Sequence, residues 1–239
     1  MKPKLNIYKD SNELFVKFAD YVAKLIENSE EEQFHIALSG GSTPKRYFET
    51  MVSNYKEKID WNKVHLWWGD ERCVPPDDSE SNYGMTKEYL IDHINIPEAN
   101  VHRIMGENDQ ADESVRYAKL IDEFVALKNN MPAFDLMLLG MGEDGHTASI
   151  FPDQVELFDV DELCAPAVNP YSKQKRVSMT GKLINNSKEI VILLSGEGKS
   201  KIVNDILNND ADKKYPVSHI EPKFGNYTWF LDKDAASLI

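Results

Sequence analysis

Short apolar runs alternate with amphipathic segments along the whole chain, and that alternation restricts the fold more than any other feature of the sequence. Candidate strands fall at Leu5–Tyr8, Phe34–Ser39, Val64–Trp68, Phe134–Leu139, Val177–Thr180, Ile190–Ser195 and Thr228–Leu231. Helical patterns lie between them, at Asn12–Glu27, Pro44–Tyr55, Asn82–His93, Asp112–Asn129 and Lys199–Leu207. In the first of these, Leu14, Phe15, Phe18, Tyr21, Val22 and Leu25 recur at three- and four-residue steps, which gives one stripe for burial. Strand, helix and strand in regular succession predict βαβ units. The expectation is a single α/β domain over residues 1–239: one doubly wound, mainly parallel sheet with helices on both faces, Rossmann-like in layout. Two stretches rich in Pro, Asp and Ser, 73–82 and 152–175, interrupt the pattern and are read as surface loops near a site, because neither separates two self-sufficient cores.

Charge narrows the function. Lys plus Arg is 27 against 40 Asp plus Glu, a formal charge of −13, which argues against nucleic acid or an anionic membrane surface as partner. An anionic small ligand therefore needs a local basic pocket. No run approaches the roughly 18 apolar residues of a membrane span, and the opening MKPKLNIYKD has no signal-peptide core, so a cytoplasmic protein is expected. Cys73 and Cys164 form no CxxC pair, so neither a disulfide framework nor a cysteine zinc site is indicated. His35, His65, His93, His102 and His219 lack metal-ligand spacing, and no metal is expected.

Four loops follow candidate strands, where ligands gather in open α/β sheets. The first, Ser39-Gly40-Gly41-Ser42-Thr43-Pro44, runs from strand to helix. Its glycines admit close backbone approach and the helix N-terminus favours negative charge, which suits a phosphate; an ordinary βα turn would read the same way. The second, Trp68-Gly69-Asp70-Glu71-Arg72, delivers two carboxylates and a guanidinium to a sheet edge, as a ligand site or as a salt-bridged turn. The third, Gly140-Met141-Gly142-Glu143-Asp144-Gly145-His146-Thr147, satisfies G-x-G-x-x-G. Pro152 follows His146 by only six residues, which denies the long helix of a dinucleotide fingerprint. What remains is an Asp and a His on a glycine turn, where an imidazole beside a carboxylate can act as general base. The fourth, Ser195-Gly196-Glu197-Gly198-Lys199-Ser200, lacks the first glycine of a nucleotide P-loop because Leu193 stands there, yet Lys199 can still present a point charge to a phosphate. No nucleophile elbow, H-E-x-x-H or EF-hand loop occurs, and Cys73 has no evident partner base.

Taken together, LSGGSTPKRYFE (38–49), WWGDERCVPPDDSESNYGM (67–85), NVHRIMGE (100–107), DLMLLGMGEDGHTASIFP (135–152) and RVSMTGKLINNSKEIVILLSGEGKSKIV (176–203) resemble the 6-phosphogluconolactonase family, part of the glucosamine-6-phosphate isomerase/deaminase superfamily with its NagB-type fold. The resemblance covers nearly the whole chain. It implies that Gly40, Gly41, Ser42 and Thr43 cradle a sugar phosphate with Lys199, and that Arg72 and Arg176 bind the phosphate or the sugar acid. His146 is implied to be the base, with Asp144 and Asp70 beside it and either one able to orient the ring.

The implied reaction is hydrolysis of 6-phospho-D-glucono-1,5-lactone to 6-phospho-D-gluconate in the oxidative pentose phosphate pathway, with a small sugar-phosphate lactone as partner and no cofactor. A monomer or weak homodimer is expected. The deaminase branch carries a glutamate five residues after the motif histidine, where this chain has Phe151, and that favours the lactonase. The competing readings are a glucosamine-6-phosphate deaminase or isomerase and a non-catalytic sugar-phosphate binding domain of a regulator. The latter usually carries a DNA-binding segment, whereas the first candidate strand here already begins at Leu5.

Overall fold

The computed structural model describes residues 2–208 and 213–239. In chain order its elements are β1 (Lys4–Tyr8), α1 (Ser11–Glu27), β2 (Phe34–Leu38), α2 (Ser42–Tyr55), β3 (Val64–Trp68), β4 (Asp70–Arg72), α3 (Asn82–Tyr89), β5 (Val101–His102), α4 (Gln110–Phe124), β6 (Leu127–Lys128), β7 (Met131–Pro132), β8 (Leu136–Leu139), β9 (Cys164–Val168), β10 (Lys175–Met179), α5 (Gly181–Asn185), β11 (Glu189–Leu194), α6 (Ser200–Asn208) and β12 (Asn226–Asp232). Among the described residues no helix is long and apolar enough to cross a membrane.

Seven strands form one parallel sheet in the order β1-β12-β11-β8-β2-β3-β5. Every residue of β2, β3 and β8 is buried, which explains why these strands read as continuous, mainly apolar runs, broken only by His35 in β2 and His65 in β3, and not as alternating ones. The connections β1-α1-β2, β2-α2-β3 and β3-α3-β5 step one way along the sheet, whereas β5-α4-β8 and β11-α6-β12 step the other way. Right-handed crossovers then place α1, α2 and α3 on one face and α4 and α6 on the opposite face. Packing of α1 on α2 and of α2 on α3 agrees with this.

The first helix shows how the sequence produces these elements. The Asp10 side chain caps α1 by accepting the Glu13 N–H at 3.0 Å, and Lys24 lies in its last turn. Its fully buried stripe is Leu14, Phe15, Phe18, Ala19, Val22 and Ile26, while Tyr21 and Leu25 are only partly buried. Burying an aromatic such as Phe18 completely stabilises the fold by roughly 1.5–3 kcal/mol.

The structure corrects the reading at three places. Val177–Thr180, expected in the parallel sheet, contributes Val177–Met179 to β10, the centre of a separate antiparallel sheet in the order β4-β10-β9, while Thr180 caps α5. The stretch 152–175 is therefore not all loop, since it contains β9 and leads into β10; a proline at 166 and exposed alternate residues hid this strand. The helix expected to reach Asn129 stops at Phe124. Asn129 and Asn130 follow with φ of 54° and 60°, the paired left-handed residues of a two-residue hairpin joining β6 to β7.

Candidate active site

At the β2/β8 junction the chain direction diverges: β2 leads to β3 on one side and β8 leads to β11 on the other. Such a switch point opens a crevice beyond the carboxyl ends of the strands. The loops after β2, β8 and β11 enter it, and the small antiparallel sheet supplies another wall. The resulting cavity of about 360 Å³ is lined by Gly40, Gly41, Ser42, Thr43, Asp70, Arg72, His146, Arg176 and Lys199 among others. Of the site residues that the resemblance implies, Asp144 alone is not on the wall; it stands behind His146.

On the first wall, the chain turns from β2 into α2 through Gly41, whose φ of 106° strongly disfavours a side chain. Gly40 lies so close to the buried Asn82 that a Cβ there would fall 1.7 Å from Asn82 Oδ1. The N–H groups of Ser42 and Thr43, which helical geometry does not use and to which Pro44 adds none, stand at the edge of the cavity. Across from them Lys199 follows the Gly196 turn, itself held by Asp232 through the Gly196 N–H at 3.0 and 3.1 Å.

The second wall is the 140–148 loop. His146 Nδ1 meets Asp144 Oδ1 at 2.6 Å, and the same oxygen accepts the His146 backbone N–H at 3.1 Å. Burial alone would push the Asp144 carboxyl up, but the hydrogen bond and charge of His146 outweigh it and hold the carboxyl below its ordinary range. The carboxylate assigns the proton to Nδ1, so Nε2 is the free ring nitrogen and has no protein partner among the described residues. Phe151 is buried beneath the imidazole, with ring centroids 4.7 Å apart. Gly142 makes room for the pair: a Cβ there would sit 2.2 Å from His146 Cε1 and Nδ1 and 2.8 Å from Asp144 Oδ1.

The third wall carries two guanidinium groups. Antiparallel register sets Arg72 of β4 directly opposite Arg176 of β10, an arrangement of like charges that is unfavourable unless something neutralises it. Asp70 Oδ2 lies 3.7 Å from Arg176 Nη1, and Arg72 Nη1 donates to the Glu80 carbonyl at 2.6 Å. Burial pushes the Arg176 guanidinium below its ordinary pKa, with the Asp70 carboxylate opposing that effect. Both arginine Nε atoms are buried without a hydrogen-bond partner. The two guanidinium groups both line the cavity and give this wall the positive charge that an anionic ligand needs.

Asp70 therefore does not orient His146 by a direct hydrogen bond. Its carboxylate takes the Ser149 hydroxyl at 2.6 Å and faces Arg176, whereas Asp144 holds the imidazole. Sequence reasoning missed Asn82 and Ser149, and it named Glu71 only within the charged triplet, without a role of its own. The Glu71 carboxylate is buried and accepts the N–H groups of Arg72, Asn82 and Tyr83, each at 2.7 Å, so it fastens the 73–82 segment back onto β4. Burial pushes its carboxyl up against the lowering effect of those N–H groups. The one signal for Glu71 was its place in the charged triplet at the end of an apolar strand.

Comparison with known proteins agrees in fold and in sequence. The family model for glucosamine-6-phosphate isomerases/6-phosphogluconolactonase matches residues 9–229. A protein of Haemophilus influenzae named 6-phosphogluconolactonase is 47% identical over 207 residues, which span 86% of this chain and 87% of the relative. The crystal structure of devB protein superposes with a TM-score of 0.94 at 41% identity, covering 100% of both chains. The 6-phosphogluconolactonase of Trypanosoma brucei gives a TM-score of 0.87 at 29% identity, covering 99% of this chain and 98% of that one.

Proposed function

The chain belongs to the glucosamine-6-phosphate isomerase/6-phosphogluconolactonase family, and from that premise we infer that it hydrolyses 6-phospho-D-glucono-1,5-lactone to 6-phospho-D-gluconate with His146 as general base. The observation that carries this reading is the placement of the His146–Asp144 pair on the same cavity as the α2 cradle, Lys199 and the two arginines.

Asp144 holds the ring with Nδ1 protonated, so Nε2 takes a proton from water as the hydroxide attacks the lactone carbonyl carbon. The tetrahedral oxyanion forms in a cavity whose fixed charges are largely cationic. The imidazolium, stabilised by Asp144, then returns its proton to the departing ring oxygen, and the ring opens to the acid. The 6-phosphate is anchored by the N–H groups at the start of α2 and by Lys199. Asp70, bonded to Ser149, keeps Arg176 in place on the opposite wall. Because such lactones already open unaided in water, general acid–base catalysis worth about 10²–10⁴-fold together with positioning is sufficient.

Phe151 separates this reading from an amino-sugar isomerase or deaminase, which needs a second proton carrier on the reacting sugar. The residue beneath the imidazole is a hydrocarbon ring and supplies none.

The test is a pH-stat assay on freshly generated lactone, corrected for spontaneous opening. His146→Ala is expected to lower kcat by at least about 10²-fold with a much smaller change in KM. Unchanged turnover would remove His146 from the mechanism, and ammonia release from glucosamine 6-phosphate would overturn the assignment of the reaction.

A further inference from the structure

Lys199 reaches the cavity from a loop that has almost nothing to pack against. The residues from Ser195 to Lys199 join the end of β11 at Leu194 to the start of α6 at Ser200. Gly196 takes φ 93° and ψ 151°, a conformation nearly confined to glycine, and a Cβ there would meet nothing within 4 Å. Glu197 and Gly198 are exposed, and a Cβ on Gly198 would approach only Glu143 Oε1, at 3.8 Å. Side-chain packing does little to fix this stretch, and its glycines give it wide backbone freedom. The Lys199 N–H bonds the Gly196 carbonyl at 3.3 Å and the Ser200 hydroxyl bonds the Glu197 carbonyl at 2.8 Å, but both bonds are internal to the segment.

The tie to the sheet is one carboxylate on the neighbouring strand. Parallel register pairs Leu194 with Leu231, so Asp232, the next residue of β12, arrives beside Ser195. Asp232 is 2% exposed. Its carboxylate accepts the Ser195 hydroxyl and, through both oxygens, the Gly196 N–H at 3.0 and 3.1 Å. Oδ1 also accepts the Ala235 N–H at 2.8 Å, and the Ala236 N–H bonds the Asp232 carbonyl at 3.1 Å, which seats the carboxylate in the turn after β12. These donors are neutral groups held by an ionised acceptor, and such bonds are stronger than neutral pairs.

We propose that Asp232 is a positioning residue for the anion-binding end of the cavity: it clamps the Gly196 turn and thereby holds Lys199 opposite the N–H groups at the start of α2. The inference rests on the reading that the substrate phosphate sits between those N–H groups and Lys199. Two effects of opposite sign meet in this side chain. As a charge, a carboxylate at this end of the cavity repels a phosphate, so neutralising it would lower KM. As a clamp, it leaves the ligand no glycine loop to order, so removing it raises KM. The clamp prevails, because without Asp232 the remaining bonds of the loop are its internal ones.

The experiment compares Asp232→Ala, Asp232→Asn and Gly196→Ala by kcat and KM on freshly made lactone, with melting curves in parallel. Asp232→Ala is expected to raise KM about tenfold with a much smaller change in kcat. Asp232→Asn removes the charge but keeps Oδ1 for the Gly196 and Ala235 N–H groups, so KM should stay within about twofold of the parental value. Gly196→Ala strains the same turn in open space and leaves Asp232 untouched; it should raise KM about fivefold, and it decides the matter if Asp232→Ala does not fold. In a Lys199→Ala background Asp232→Ala should add less than about twofold, because the clamp acts through Lys199. A parental or lowered KM in folded Asp232→Ala, an equal rise in Asp232→Asn, a parental KM in Gly196→Ala, or the full rise in the Lys199→Ala background would overturn the proposal. Failure of the phosphate reading is distinguishable, since it shows as an unaltered KM in Lys199→Ala itself.

Discussion

Gly142→Ala tests whether the spacing of the His146–Asp144 pair is what the site depends on. The new methyl carbon would lie 2.2 Å from two atoms of the imidazole, whereas ordinary van der Waals contact begins at 3.4 Å. Gly142 has no left-handed φ, so the substitution acts through this overlap and not through backbone strain. One side chain must yield by about 1.2 Å, and Asp144 Oδ1, at 2.8 Å from the same carbon, closes the direct retreat toward the carboxylate. A displacement of about 1 Å at a reacting group costs on the order of 10²-fold in rate, or about 2.7 kcal/mol of barrier. The assay couples formation of 6-phosphogluconate to its oxidation on freshly made lactone, with the spontaneous rate subtracted and the melting curve recorded in parallel. A folded Gly142→Ala protein with parental kcat would refute the argument that this loop fixes the imidazole. Gly69→Ala is the contrast: its nearest neighbours would be ordinary contacts at 3.5 and 3.9 Å, and it should retain near-parental turnover.

Other expectations concern binding and pH. Lys199→Ala and Arg72→Ala should each raise KM far more than they lower kcat, and unaltered KM in both would contradict the anion-binding assignment. Asp144→Asn should lower kcat by about 10²-fold or more while leaving KM nearly unchanged, measured by the same coupled assay. The buried His35 accepts the Trp67 indole N–H, and burial, aided by the neighbouring His65, His102 and Lys188 charges, pushes its pKa down from 6.5 to about 3. Its neutral form is favoured by folding, so this contribution is complete above pH 6.5 and fades as pH falls toward 3, with about 2 kcal/mol lost by pH 5. Urea unfolding at pH 7 and pH 5 should show that dependence reduced by about this amount in His35→Asn; an identical pH dependence in both proteins would rule His35 out as its source.

Much of the fold is legible because burial on both faces of a parallel strand writes itself as an apolar run, and β2, β3, β8 and β11 each read that way. The second sheet is not legible for the opposite reason. Its strands are the charged triplet Asp70–Arg72, the proline-interrupted Cys164–Val168 and a strand beginning Lys175-Arg176, and they are held by pairing between segments distant in sequence. The site divides similarly. Glycine loops after strands announce the cradle and the histidine turn, because close approach restricts the residue type. Which carboxylate serves His146 depends on where β4 and the 140–148 loop lie in space, and local pattern does not contain that. Ser149 and Asn82 escaped notice because a buried serine or asparagine becomes informative only once its partner is known.

The ring of Phe151 beneath His146 bears on how the two chemistries of this family could have parted. A glutamate there would enter a spot only 1% exposed, against the imidazole that Asp144 holds, where burial disfavours an ionised carboxylate. It would lie protonated or displace the imidazole, and in either state general-base hydrolysis would suffer. Passage from water addition to ring-opening chemistry on this scaffold therefore requires the floor to be rebuilt and hydrated first.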